Sequence, residues 1–306
     1  MFTEELMGRA EGGDIQTLVE LDARGFLIGA DESLDQYVTR LRCLQGNIEE
    51  MDGELTQTGR FEVEGVELSD DDRIPEALFE RVKGKTEELF RFTIDWVPGF
   101  FINPSQGWLF GGCAFYFYPD FFALFIIRRS FANRERWLIY SRDELLAHEL
   151  CHVARIAMES DVFEETFAYR TATSPFRRAV GSVFRSPMDS YLLLGSTLVL
   201  LIAQLVRVLL FHSMPIWPFW GLVLLVVASF AGRQQHGQRV CSAALRRLSS
   251  VNEEDALAVL FRCSDEEVLW LSRCQEDASF LTWMAGKAES SVRWQVIRAR
   301  FFPAVP

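Results

Sequence analysis

Two apolar runs lying close together constrain this chain more than any other feature. Tyr191 to Phe211 is a near-continuous apolar stretch of 21 residues, interrupted only by Gln204, Arg207 and small residues. Four residues later, Ile216 to Ala231 forms a second, with Trp217 and Trp220 at its start. A helix needs about 20 apolar residues to cross a hydrocarbon core of roughly 30 Å. The first run meets that length; the second is short and relies on its flanks. Backbone surrounded by lipid must satisfy its own polar groups, so both runs are expected to be helices. The competing reading is a buried helical hairpin in a soluble core, but soluble helices rarely run so far without polar residues. Arg170, Arg177, Arg178 and Arg185 precede the first run, and Arg233, Arg239, Arg246 and Arg247 follow the second. The loop between them, His212 to Pro215, has no lysine or arginine. The positive-inside rule then predicts an integral-membrane protein with a transmembrane helical hairpin over 190–232 and both terminal regions cytoplasmic. Arg207, near the end of the first span, can snorkel to the interface.

The rest of the chain reads as folded and intracellular. Its formal charge of −12 speaks against a nucleic-acid partner. Cys43, Cys113, Cys151, Cys241, Cys263 and Cys274 are scattered without a C-x-x-C pair, which fits a reducing compartment better than a disulfide framework. The acidic N-terminus lacks an apolar core, so no secretory signal is expected.

Four segments follow from the patterning. Residues 1–92 are acidic and mainly helical, with helical apolar spacing over Asp31 to Met51 and again over Pro75 to Phe92. Between them, alternation around Phe61 to Leu68 predicts one half-buried strand, ending in an acidic turn from Ser69 to Asp72. Residues 93–180 open with aromatics broken by glycine and proline, among them Trp96, Phe100, Trp108, Phe110, Tyr118 and Phe121. Short strands and turns are expected there, with strands at Phe122 to Arg128 and Trp137 to Tyr140 around a turn at Asn133 and Arg134. The apolar hairpin comes next. Residues 233–306 return to amphipathic helix, predicted as three to five short helices with Asn252 and Ser264 as N-caps. The fold class is α+β.

Chemistry concentrates at Ser141 to Arg155. Ser141 is a candidate N-cap, with Glu144 three residues on to complete a capping box. In the second turn His148, Glu149 and His152 spell H-E-x-x-H. On a helix the two histidines share a face one turn apart and can reach one metal ion. Glu149 then lies beside the metal, where it can take a proton from water there. The motif uses two of the chain's four histidines. Chance would produce it somewhere in such a chain roughly once in 200, so context matters. Cys151, at a variable position of the motif, reads as a packing residue.

A zinc hydrolase needs a third protein ligand. His212 falls in the hairpin loop and His236 follows the second apolar run, which leaves a carboxylate on the next helix. Glu164 and Glu165 are the candidates, with Glu159 and Asp161 in the connecting turn. Glu165 reads E-x-x-A, with small Ala168 on its helix face, and is preferred. Glu164 is the alternative, and otherwise completes a cap begun by Asp161 on a helix running to about Thr173. Pro175 ends or kinks that helix.

H-E-x-x-H followed on the next helix by E-x-x-A resembles the gluzincin metallopeptidases. Within them it is similar to the membrane-bound group of heat-shock and CAAX prenyl proteases, and to the minigluzincins. The resemblance covers Phe122 to Ala172. It departs from the membrane group in having the glutamate only 13 residues after His152 and Tyr169 where aspartate is usual. It implies a zincin-like catalytic core, Zn2+ as cofactor, Glu149 as general base, and Tyr169 or Tyr140 as oxyanion donor. It also implies that an extended peptide substrate pairs with the strand before the helix, Phe122 to Arg128 or Trp137 to Tyr140. The expected activity is zinc-dependent cleavage of peptides or proteins, membrane proteins included, on the cytoplasmic side. The competing expectation is a non-catalytic or non-peptidase zinc-binding membrane protein whose helical terminal regions bind a partner.

Overall fold

A computed structural model describes residues 2–63, 65–103, 112–117, 122–137, 140–274 and 276–303, with backbone alone at 112–117 and 122. Trp108, Phe110, Tyr118 and Phe121 lie outside the described residues. Helices α1 (Glu4–Glu11) and α2 (Ile15–Ala23) start on side-chain caps from Thr3 and Asp14. Ser33 and Gln36 form a capping box for α3 (Leu34–Thr58), which runs well past the expected end at Met51. Its apolar stripe continues through Met51 and Leu55, and Gly59 in the left-handed conformation stops it. The single strand expected around Phe61 to Leu68 is instead a hairpin of β1 (Arg60–Val63) and β2 (Val66–Ser69), because Gly65 at φ 75° allows a reversal. Helix α4 (Glu76–Phe90) follows.

Strands β3 (Gly99–Ile102), β4 (Gly112–Phe117) and β5 (Phe122–Arg128) form a sheet in the order β3-β5-β4, with β3 parallel and β4 antiparallel to β5. Ala123 to Ile127 are buried, as a central strand with both faces covered must be. Both edges of β5 are thus taken, so Phe122 to Arg128 cannot accept a substrate strand. Of the second expected strand, Trp137 to Tyr140, the two ends belong to the paired two-residue strands β6 (Arg136–Trp137) and β7 (Tyr140–Ser141), and residues 138–139 lie outside the described residues. The sheet leaves β4 as its outer strand beside the motif helix.

That helix, α5 (Arg142–Arg155), turns Leu145, Leu146, Leu150 and Val153 into the core. After it come α6 (Glu164–Ala168), α7 (Pro175–Val180), α8 (Pro187–Leu209) and α9 (Trp217–Ser249). Among the described residues the C-terminal part after α9 is four helices, α10 (Ala256–Phe261), α11 (Asp265–Arg273), α12 (Asp277–Ser290) and α13 (Val292–Phe301). Ser264 and Glu267 make the capping box of α11, while Asn252 accepts from the Asp255 N–H in the turn before α10. One apolar cluster runs from Phe2 through β5 and α5 to Phe302, so the N-terminal, motif and C-terminal segments share a core. Buried charge pins it together: Arg262 reaches Asp22 at 2.9 Å and the Phe90 carbonyl at 2.8 Å.

Helix α8 and the apolar first half of α9 pack antiparallel and stand apart from that core, which the second half of α9 enters through Cys241, Ala244 and Leu248. Asp189 accepts two bonds from Arg233, at 3.0 and 2.6 Å, and ties the base of the pair. At 1.5 Å per residue α8 is about 34 Å long, and it alone among the described helices is long and apolar enough to cross a membrane. Only 17% of its apolar window is buried, unlike the mostly buried core helix of a soluble protein. The apolar part of α9 is shorter, and the same helix continues as a polar one to Ser249.

Candidate metal centre

Three ligand atoms converge where α5 meets α6. The Nε2 atoms of His148 and His152 lie 3.1 Å apart. Glu165 presents one carboxylate oxygen to each ring, Oε2 at 3.6 Å from His148 Nε2 and Oε1 at 3.5 Å from His152 Nε2. Ligand atoms held about 2.0–2.1 Å from a tetrahedral zinc are spaced about 3.3–3.4 Å apart. The histidine pair is near that spacing, and one ligand atom from each of the three residues lies within 4.8 Å of the others, so this group could hold a metal ion.

Glu164 has a different place. It does not complete a cap begun by Asp161, because α6 has Phe163 at its N-cap and Glu164 as its first residue, and Asp161 instead gives its N–H to Asp265. Its carboxylate accepts from His152 Nδ1 at 3.0 Å and from Arg155 Nε at 2.7 Å. That bond fixes the tautomer of His152 and aims Nε2 at the triangle. Arg155, fully buried, lies 4.6 Å over the Phe167 ring and donates to the Phe261 carbonyl. A chain of contacts therefore runs from His152 through Glu164 and Arg155 to α10. The other histidine is held by a hydrogen bond to the Ala168 backbone.

The two rings differ electrically. Burial, then His152 and Arg177, hold His148 well below the ordinary histidine value, so its ring is neutral. Burial also pulls on His152, but the Glu164 hydrogen bond and the charges of Glu164, Glu149 and Glu165 outweigh it and raise its pKa to about 9. Burial raises Glu165 as well. For Glu164 burial is overcome by Arg155 and His152, which hold the carboxyl low. The site is thus a proton-holding cluster with an anionic anchor, and a divalent cation competes with that proton.

Glu149 is buried, and its charge acts on His152 and on Tyr169. Cys151 is fully buried, bonded to the Ala147 carbonyl, and burial pushes its thiol well up, consistent with packing. Tyr169 stands edge-on to His148 with ring centroids 4.6 Å apart. Gly181 makes room for it, since a Cβ there would lie 2.2 Å from the ring. Tyr140 acts on Tyr169 electrostatically and has the Arg177 guanidinium 5.6 Å over its ring. Glu144 is not a capping partner: Ser141 makes no side-chain cap, and Glu144 accepts from the Thr173 N–H at 2.8 Å and from Arg177. The metal helix is thereby strapped to α7.

Arg155 and Arg177 were not singled out by their sequence positions as parts of a site. Arg155 had a signal, lying three residues after His152 on the same helix face. Arg177 had none, since only the fold of α7 brings it to Glu144.

No family model, curated protein or solved structure matches this chain. The site has to be argued from its own geometry.

Proposed function

We propose that the chain is a membrane-anchored zinc endopeptidase of gluzincin type, cutting peptide bonds at the cytoplasmic face. The observation that carries this reading is the convergence of His148, His152 and Glu165, one ligand atom from each lying within 4.8 Å of the others, with buried Glu149 next to His148 on the helix. Two imidazoles and a carboxylate are a familiar zinc ligand set, and Glu164 supplies the outer carboxylate such histidines need. Zinc held there would contribute Lewis acidity toward a carbonyl oxygen and toward water.

The remaining work falls to the chain. Glu149 takes the proton of the attacking water and hands it to the leaving nitrogen. Tyr169 donates to the developing oxyanion; burial, then Glu165, raise its pKa, so the hydroxyl keeps its proton. Tyr140 is the second candidate donor. Among the described residues the outer edge of β4, beside the motif helix, has no strand partner, and an extended substrate can add to it.

Anchoring rests on α8 and the apolar part of α9, read together as a two-span hairpin. Large apolar side chains exposed to solvent, such as Leu194, Leu201, Leu209, Trp217 and Leu225, are confined among the described residues to Phe176–Val227. A contiguous apolar band of that kind marks contact with lipid. Most flanking arginines lie at its base, with Arg207 the one near its tip, and this imbalance supports a site on the cytoplasmic side.

Zinc content and casein hydrolysis of the wild type and Glu149→Gln test the reading. Both proteins should hold one zinc per chain, and only the wild type should hydrolyse casein. Absence of zinc sinks the proposal. Zinc with no hydrolysis in either protein favours a zinc-binding membrane protein of another activity.

A further inference from the structure

The exposed apolar band does not stop at the hairpin. It continues back over Phe176, Val180, Phe184 and Met188, in the segment joining the candidate metal site to α8. Phe176 is 72% exposed while its neighbour Arg177 reaches Glu144 on the metal helix. Under this segment lies a groove of about 590 Å3, walled by Val180 and Phe184, by Leu193 of α8 and by Val227 and Phe230 of α9. That volume is within the range of about 300–1,000 Å3 typical of small-molecule sites.

The groove is apolar at one end and polar at the other. Gln234, Gln235 and Gln238 line the polar end. Gln234 is 94% buried; its Nε2 donates to the Ala179 carbonyl and to Ser182 Oγ, and its Oε1 has no partner among the described residues. Arg178 and Arg239, both exposed, stand next to the lining residues Ala179 and Gln238. An apolar slot opening on an exposed apolar band, with an unsatisfied acceptor at its polar end and exposed arginines adjacent in sequence to that end, matches a lipid better than a peptide.

We propose that this groove is a binding site for one anionic phospholipid of the surrounding bilayer. Its acyl chain lies along Val180, Phe184, Leu193 and Phe230, its headgroup hydroxyl donates to Gln234 Oε1, and its phosphate faces Arg178 and Arg239. The inference rests on the membrane-anchor reading but not on the peptidase reading. The bound lipid would fix the segment that carries Arg177 and Gly181 to the metal site.

The test is native mass spectrometry of the full chain, purified in detergent and supplied with dioleoylphosphatidylglycerol. The wild type should retain one lipid per chain. Leu193→Trp, which fills the groove, should lower retention at least tenfold, whereas Leu194→Trp, on the exposed face, should leave it unchanged. Dioleoylphosphatidylcholine should be retained several-fold less than the glycerol lipid, which would be the mark of the arginines. Equal retention by wild type and Leu193→Trp, or none by either, overturns the proposal. Flotation with phosphatidylglycerol vesicles tells the failures apart: a chain that floats but keeps no lipid lacks the groove site, and one that does not float lacks the anchor too. Glu149→Gln should bind lipid as the wild type does, so loss of peptidase activity leaves the result standing.

Discussion

Replacing Glu164 by glutamine separates the two adjacent glutamates by what each does. In the folded protein one carboxylate oxygen of Glu164 accepts from His152 Nδ1 at 3.0 Å and the other from Arg155 Nε at 2.7 Å. An amide of the same shape has one acceptor oxygen, so whichever way it turns, its N–H groups face one of those donors. Arg155 is 1% exposed and cannot recover the loss from water. Breaking a buried charged pair costs about 3–5 kcal/mol, and the one hydrogen bond the amide keeps returns about 1, which leaves a loss of about 2–4 kcal/mol. Loss of an outer carboxylate typically weakens a metal site about 10–100-fold, or about 1.4–2.8 kcal/mol. Glu164→Gln should therefore still bind zinc, more weakly, while unfolding at lower temperature. Glu165→Gln removes a ligand and should come close to abolishing binding, with a smaller loss of stability. Competition with a chromophoric chelator gives the affinities and thermal unfolding the stabilities. If Glu164→Gln lost zinc entirely while Glu165→Gln kept it, the assignment of ligand and orienting residue would be reversed.

Other consequences are equally concrete. Gly181→Ala places a methyl against the Tyr169 ring, so kcat on a reporter peptide should fall about as far as in Tyr169→Phe, with zinc content unchanged; normal turnover would remove Tyr169 from the chemistry. Leu201→Asp puts a charge in the middle of α8, at a cost of about 2.5–3.5 kcal/mol in a bilayer, and should release protein into carbonate extracts; a chain that stays soluble with either residue would refute the anchor. For Glu267, burial raises the carboxyl, but bonds from Arg293, Trp294 and the Ser264 N–H outweigh it, and the net shift is downward. The unfolded chain then binds the extra proton between the two values, so this stabilisation is complete above the ordinary glutamate pKa near about 4.3 and is lost as pH falls through the lowered folded value. Glu267→Gln should flatten the acid side of the stability curve, and an unchanged acid limb would show that Arg293 contributes no net protection.

The site was legible because a metal helix is written locally. His148, Glu149 and His152 sit at spacings that any helix converts into a shared face, and Glu165 followed from needing a third ligand on the next helix. Glu144 and Glu164 were misread for the same reason: S-x-x-E and D-x-x-E patterns favour capping boxes, yet here the Arg177–Glu144 and Arg155–Glu164 pairs took both carboxylates. Charge pairs between segments distant along the chain leave no periodic trace. The strand order was equally hidden, since the pattern of Phe122 to Arg128 marks a buried strand without saying which neighbours fill its edges.

Sequence alone therefore determined the motif helix, the apolar length of α8 and the α+β class, because each depends on residues within one or two turns or one continuous run. Tertiary structure decided which glutamate joins the two histidines and which braces His152, which sheet edge is unpaired among the described residues, and that α7 lies between the candidate metal site and the groove beside the exposed apolar band. Those outcomes depend on which buried charges find partners across the fold, and a buried charge pairs with whatever donor packing brings within about 3 Å.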